Sequence, residues 1–218
     1  IFIAAKEPII VLIVVMAPAA PSRPSPPLRD TAAIAAAKEQ VGFSRLELLA
    51  GQRAQRTAPV TIDLSAIAKG YAVDRVAELL ERNALNDYMV EVGGELRLGG
   101  RNSRGEPWRI AIESPLVIGE VERLLAVSDV AVATSGDYHN YFEVDGVRYS
   151  HTLNPHTGWP VPRSLVSVTV VSDSSARADA LATALSVVGA QRSLALAEQH
   201  GLAVYLLSLQ EGELVAQQ

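Results

Sequence analysis

Cysteine is absent from all 218 residues. Its absence excludes a disulfide framework, a thiolate nucleophile, thiolate zinc sites, iron–sulfur clusters and a lipid-modified N-terminal cysteine. It leaves the compartment open, because a periplasmic protein need not carry disulfides. Also missing is any block rich in Lys and Arg. The 19 basic residues against 24 acidic ones leave a formal charge of −5, which argues against nucleic acid or an anionic membrane as the main partner. Long apolar runs are scarce. Fifteen uncharged residues separate Glu7 from Arg23, but the run 9–17 falls short of the roughly 20 apolar residues that carry a helix across a bilayer. No transmembrane helix is expected there; a buried strand or helix is the reading. Lys6, the apolar run and Ala17-Pro-Ala-Ala20 have the form of a signal peptide, yet such a segment starts with Met and is removed. Because residue 1 is Ile, the sequence reads as a fragment or a processed form.

What is present is the material of a packed protein. Apolar residues make up 49% and charged residues 20%, close to globular averages, and a chain of this length buries about 70% of its unfolded surface. Residues 18–27, Pro-Ala-Ala-Pro-Ser-Arg-Pro-Ser-Pro-Pro, sustain neither helix nor ladder. The domain boundary is placed after them: an N-terminal segment and linker over 1–27, one domain over 28–218. Within that domain Thr31 caps a short helix to Gln40, and 43–49 reads as a strand. Apolar spacing predicts a helix over 67–80 opening just after Asp63-Leu64-Ser65. Strands over 88–92 and 95–98 flank Gly93-Gly94, a tight hairpin turn. Alternation at Trp108, Ile110 and Ile112 marks a further strand, as does 127–133. Asp145-Gly146 is the clearest hairpin turn in the chain. After a strand over 165–171, Ser174 or Ser175 caps a helix that Gly189 stops. A second helix ends near Gly201, and 203–209 and a last short strand close the sheet. Hairpins outnumber βαβ crossovers, so the expected class is α+β with mainly antiparallel strands and packed helices.

Several residues could do chemistry, each with a plain structural alternative. Asp179 and Thr183 stand four apart on one helix face, and two hard oxygen ligands at that spacing suit Mg²⁺, which completes its shell with water and substrate phosphate. Alternatively, Asp179 favours the helix dipole and Thr183 is a core-facing hydroxyl. Asp63, Ser65, Lys69 and Gly70 crowd a helix start where free amides, the dipole and an ammonium attract phosphate; a simple N-cap is the other reading. Gly93-Gly94 and Gly99-Gly100 could admit a ligand close to the backbone, but no dinucleotide-binding glycine pattern or Walker loop occurs. Thr134-Ser-Gly-Asp-Tyr138 follows an apolar strand and reads as a polar loop or capped turn. His151 offers an imidazole that could take a proton from an attacking hydroxyl. His139, His151 and His156 lack the spacing of a zinc pair, and no nucleophile elbow accompanies any serine.

The order of these pieces carries more than each alone. Asp63-Leu-Ser-Ala-Ile-Ala-Lys-Gly-Tyr-Ala-Val-Asp74, Val92-Gly-Gly-Glu95, Trp108-Arg-Ile-Ala-Ile112, Ala133-Thr-Ser-Gly-Asp-Tyr138, His151-Thr-Leu-Asn-Pro-His-Thr-Gly158 and Ala178-Asp-Ala-Leu-Ala-Thr183 follow one another in register. Over residues 61–207 the chain thereby resembles the ApbE family of FAD:protein FMN transferases. The resemblance implies an ApbE-like, T-fold-like architecture. It also implies a Mg²⁺-dependent reaction that splits FAD, attaches FMN through a phosphoester to a Thr or Ser hydroxyl of a target protein, and releases AMP. Targets of the family are subunits of redox-driven ion pumps and related electron carriers. They lie outside the bacterial cytoplasmic membrane, so a periplasmic or outer-face, membrane-associated location is expected.

Position by position, the resemblance implies that Asp63 and Lys69 contact FAD with Leu153 against the cofactor. Asp179, Thr183 and the backbone carbonyl of Ala66 would ligate Mg²⁺, and His151 would lie at the reaction centre. Three positions depart mildly: Ser65-Ala66 stands where many members carry two glycines, Glu95 where Asp is usual, and Asn154 where Asp is frequent. The family's longer N-terminal portion carries a segment F-D-x-T-x-G-P-L-x-x-L-W. Here Phe2, Pro8 and Leu12 fall at matching intervals, while Ile3, Ala5, Glu7 and Ile13 replace its polar, glycine and tryptophan positions, so the N-terminal part is expected to be incomplete. A Mg²⁺-dependent FAD pyrophosphatase using the same residues, and a flavin-binding protein without turnover, are the alternatives.

Overall fold

The structure, a computed structural model, describes residues 2–6, 9–14, 31–39, 41–60, 62–117, 119–136, 141–144 and 146–218. Of the sequence features above, Glu7 and Pro8, the end of the run 9–17, the Pro-rich stretch 18–27, Gln40, Asp137, Tyr138, His139 and Asp145 lie outside them.

Eight strands form one sheet. In chain order they are β1 (Phe2–Lys6), β2 (Ile9–Val14), β5 (Asp87–Val92), β6 (Glu95–Gly99), β9 (Val130–Gly136), β12 (Leu165–Ser172), β13 (Ala203–Gln210) and β14 (Glu213–Gln217), and this is also their order across the sheet. Every pairing is antiparallel except β2 with β5. Separate hairpins are β3 (Leu46–Leu49) with β4 (Arg53–Arg56), β7 (Trp108–Glu113) with β8 (Val121–Val127), and β10 (Tyr141–Val144) with β11 (Val147–Ser150). The helices among the described residues are α1 (Thr31–Lys38), α2 (Ser65–Arg82), α3 (Ser175–Val188) and α4 (Ala190–His200). None is long and apolar enough to cross a membrane. The mainly antiparallel α+β expectation is met.

The sheet is covered on both faces. On one, α3 packs Ala178, Ala182 and Leu185 against Ala133, Val168, Val170 and Leu206, while α2 sets Val73 and Ala77 on Tyr88, Val90 and Val92. On the other, Trp108 and Ile110 of the β7–β8 hairpin meet Leu98 and Val132. A strand with helices on one face and a hairpin on the other has no solvent side. This is why β12 is buried without a break from Leu165 to Val170, Ser167 and Thr169 included.

Local signals were mostly literal. Gly93 and Gly94 take φ of 61° and 100°, allowing the two-residue turn that pairs Val92 with Glu95. Ser174 caps α3 by accepting from the Arg177 amide at 3.3 Å, and Gly201 ends α4 at φ 60°.

Three expectations change. Residues Phe43–Arg45 form a 3₁₀ turn, so the strand begins only at Leu46. The strand expected over 127–133 is two: β8 ends at Val127 and β9 starts at Val130, with Asp129 at φ 57° turning between them. Thr134, Ser135 and Gly136 are not loop but the end of β9, because β12 continues the ladder as far as Gly136 opposite Ser167. The run that starts at Ile9 takes the strand alternative, as β2 paired with β5, so residues before the Pro-rich stretch share the sheet with those after it.

Candidate active site

Two helices from distant parts of the chain build the site between them. On α2, Gly70, Val73, Asp74 and Ala77 form the buried stripe at helical spacing. Gly70 has no room for a side chain: a Cβ there would lie 2.3 Å from the carbonyl oxygen of Ser175, the first residue of α3. This close approach lets Asp74, four residues on, reach the start of α3. Its carboxylate accepts from Ser174 Oγ at 2.8 Å and from the Ser175 and Ala176 amides at 2.9 Å each. Arg97 of β6 completes the cluster, donating to Asp74 Oδ1 at 3.2 Å and to the Asp173 carbonyl at 2.6 Å. Asp74 thus caps, from another helix, the amides that α3 leaves unpaired at its start.

One turn into α3, Asp179 is buried among core residues and its Oδ2 accepts the Gly70 amide at 3.0 Å. In a regular helix that amide belongs to the carbonyl of Ala66, so Ala66 shares or yields its donor to Asp179. Burial raises the Asp179 carboxyl above the ordinary range, opposed by the Gly70 amide and the charge of Lys69.

A cavity of about 390 Å³ opens at this junction. It is lined by Ser65, Ala66 and Lys69 of α2, Glu95 of β6, the β9 end Thr134–Gly136, His151, Thr152 and Leu153 after β11, and Asp179 and Thr183 of α3. Six of the seven residues singled out from the sequence therefore share one wall: Ala66, Lys69, His151, Leu153, Asp179 and Thr183. The seventh, Asp63, lies apart. It is exposed and accepts the Ser65 amide at 2.7 Å, a bond that lowers its pKa. It borders a second, apolar cavity of about 740 Å³ between α1 and the loop after Leu153, and Leu153 lines both. The first-turn amides of α2 are largely engaged: Ser65 by Asp63, and Ile67 and Ala68 by the Leu64 carbonyl at 3.0 Å each. What this helix start offers an anion is chiefly the Lys69 ammonium.

The loop that presents His151 and Leu153 is held by its own bonds. Leu153 bridges Pro160, Asn154 Oδ1 accepts the His156 amide at 2.9 Å, and the Asn154 carbonyl accepts the Gly158 amide at 2.8 Å. An amide oxygen performs this turn as a carboxylate would, so Asn at 154 is no structural loss.

Sequence reasoning missed the roles of two residues. Asp74 was visible as an acid on the apolar stripe of α2. Glu95, only 1% exposed, accepts from Lys69 Nζ at 2.6 Å. Burial pushes its carboxyl up to about 7 against the pull of Lys69, with the nearby Asp179 charge adding to the rise. Period-two counting along β6 places Glu95 on the face shared with Arg97, a weak signal of the same kind.

Helices on one face of a mainly antiparallel sheet thus frame a cleft that gathers an ammonium, hard-oxygen side chains and an imidazole. A model of the ApbE family matches residues 10–206, and the chain belongs to that family. It is 48% identical over 150 residues to the FAD:protein FMN transferase of Haemophilus influenzae, covering 68% of this chain and 43% of that one. To the FAD:protein FMN transferase of Vibrio cholerae it is 52% identical over 147 residues, covering 67% and 44%. Among solved structures it superposes on the flavin transferase ApbE of Vibrio cholerae with a TM-score of 0.80 at 39% identity, covering 90% of this chain and 62% of that one. On the apo flavinyl transferase ApbE of Pseudomonas stutzeri the TM-score is 0.75 at 41% identity, covering 86% and 58%. The chain thus spans less than half the length of these two curated relatives.

Proposed function

We infer that this chain carries the catalytic portion of a Mg²⁺-dependent FAD:protein FMN transferase, moving FMN from FAD to a Thr or Ser hydroxyl of a partner protein and releasing AMP. The observation that carries the reading is the convergence of Lys69, Asp179, Thr183 and His151 on one cavity, together with the activity named for the relatives above.

The donor set fits magnesium. A carboxylate held above its ordinary pKa by burial, a hydroxyl one turn along and a helix carbonyl whose amide partner also donates to Asp179 are hard oxygens without a competing soft ligand. Asp179, Thr183 and the Ala66 carbonyl would hold the ion, which when bound neutralises charge on the pyrophosphate as AMP leaves. Lys69 pairs with the same phosphates. His151 accepts the proton of the acceptor hydroxyl, whose oxygen forms a bond to the flavin-side phosphorus while the bond from that phosphorus to the bridging oxygen breaks. AMP departs with the bridging oxygen, and the FMN phosphate remains as a phosphoester. The apolar cavity shared at Leu153 would receive a ring of the substrate, with Asp63 at its rim. The partner's class, a subunit of a redox-driven ion pump or related electron carrier on the outer face of the inner membrane, is part of the proposal and rests on the family resemblance. Protease accessibility in intact spheroplasts tests that location, and protection of the chain from external protease would remove it.

Incubation of the full-length protein with FAD, Mg²⁺ and a candidate acceptor decides the reaction. Mass spectrometry should find FMN on a Thr or Ser of the acceptor, with AMP released in step. AMP with free FMN alone would make the protein a pyrophosphatase, and neither product would leave a binding protein. In the same assay His151→Asn should slow flavinylation by about 10² to 10⁴ with little change in FAD affinity. Transfer at the parental rate would move the base elsewhere, with Asp137 next in line.

A further inference from the structure

Glu95 is an unusual residue to bury beside an anion site. Its side chain is 1% exposed, one oxygen takes the Lys69 ammonium at 2.6 Å, and the other, Oε2, is buried with no hydrogen-bond partner. A carboxylate so placed costs free energy and repels phosphate, and residues of similar size without charge would pack there more cheaply. Lys69 is 38% exposed and stands where two cavities meet: it lines the 390 Å³ cleft and also a neighbouring one of about 580 Å³ bounded by Glu91, the Gly93-Gly94 turn and Arg109. A free lysine side chain has four rotatable bonds and would sample both. Two acceptors restrain it, Glu95 Oε1 and, at 3.4 Å, the Gly93 carbonyl, and both belong to the β5–β6 hairpin end.

We propose that Glu95 is a positioning residue for Lys69, anchoring the ammonium at the mouth of the metal-ligand cleft so that it meets the pyrophosphate there instead of swinging into the neighbouring cavity. The inference rests on the reading of the cleft as a pyrophosphate site. Burial raises the Glu95 carboxyl to about 7, and the Lys69 ammonium pulls against that rise.

The sign of the effect separates this role from a purely electrostatic one. Removing a negative charge beside an anion site should tighten anion binding; losing the anchor should weaken it. Pyrophosphate binding in Mg²⁺ buffer is measured by titration calorimetry on the full chain for wild type, Glu95→Met, Glu95→Gln, Lys69→Met and the Glu95→Met/Lys69→Met double variant, with FAD cleavage followed in parallel. Glu95→Met should bind pyrophosphate roughly tenfold more weakly, as expected for one misdirected charge-assisted contact. Glu95→Gln, which keeps an acceptor for the ammonium, should recover most of that loss, and the double variant should be no weaker than Lys69→Met alone. Equal or tighter binding by Glu95→Met, or additive losses in the double variant, overturns the proposal while leaving the transferase reading intact. A wild-type protein that binds no pyrophosphate removes the anchor role at once, and if it also fails to cleave FAD the transferase reading goes with it. Thermal melting guards against misfolding: a weaker variant that melts with the wild type supports the anchor, whereas binding losses that track melting across all variants overturn it.

Discussion

Asp179→Ala is expected to lower AMP release from FAD by at least about 10³-fold, because charge stabilisation by a metal is worth several kcal/mol and each 1.36 kcal/mol is tenfold in rate. The chain should nevertheless stay folded. Asp179 makes one hydrogen bond, to the Gly70 amide, and that amide can return to its helical partner, the Ala66 carbonyl. The carboxylate itself is held above its ordinary pKa by burial, so removing it relieves a desolvated group and leaves an alanine among the alanines of α3. Mg²⁺ titrations of AMP release, with circular dichroism as the control for folding, check both halves. Undiminished AMP release in a folded variant would take Asp179 out of the metal site. Thr183→Val, which keeps the shape and removes the oxygen, should weaken Mg²⁺ dependence in the same direction.

Asp74→Ala should do the opposite, costing stability first and activity only as a consequence. The side chain satisfies three donors at the start of α3 and one guanidinium nitrogen of Arg97. Truncation leaves the Ser175 amide without this acceptor and Arg97 with the Asp173 carbonyl but no longer the Asp74 carboxylate, and each lost hydrogen bond to a charged group costs about 1.5–3 kcal/mol. Set against the roughly 5–15 kcal/mol that holds a whole domain together, this is enough to bring the unfolding transition close to working conditions. Urea denaturation should show the midpoint falling steeply, with Asp74→Asn intermediate because it keeps the shape and one acceptor oxygen but turns the other into a donor and loses the charge. A midpoint within error of wild type would mean that α3 is held by its apolar face alone. Since Asp179 and Thr183 ride on α3, Asp74 acts on them only through the helix whose start it caps.

Much of this was legible in one dimension, wherever the deciding interaction is local. The Gly93-Gly94 turn is dictated by the need for positive φ at both positions, and Ser174 by the unpaired amides three residues ahead of it. The Asp179–Thr183 pair follows from helical spacing alone. Where the deciding interaction is distant, the residues were silent. Thr134–Gly136 looked like a loop because hydroxyls and glycine follow an apolar run, yet the ladder with β12 carries it as strand to Gly136. Residues 127–133 looked like one strand because nothing local marks the turn at Asp129. Asp63 looked like part of the cleft by proximity in sequence to Lys69, but a helix turn carries Lys69 inward while Asp63 stays outside, bonded to Ser65.

What the sequence determined by itself, then, is the inventory: most element types, several caps and turns, the family, and seven candidate residues, six of which line one cavity. Their chemistry is set by side-chain type and periodic spacing, both local properties. The tertiary structure alone decided which carboxylates are buried and whom they serve. Asp74 meets Ser174, 100 residues on, and Lys69 meets Glu95, 26 residues on, because Gly70 admits α3 to within contact of α2 and the β5–β6 hairpin end comes to lie beside Lys69. Neither meeting is written in any window of the chain, since each depends on how whole helices and strands pack, and it is packing that turns an ordinary acid into a helix cap or an anchor for a cation.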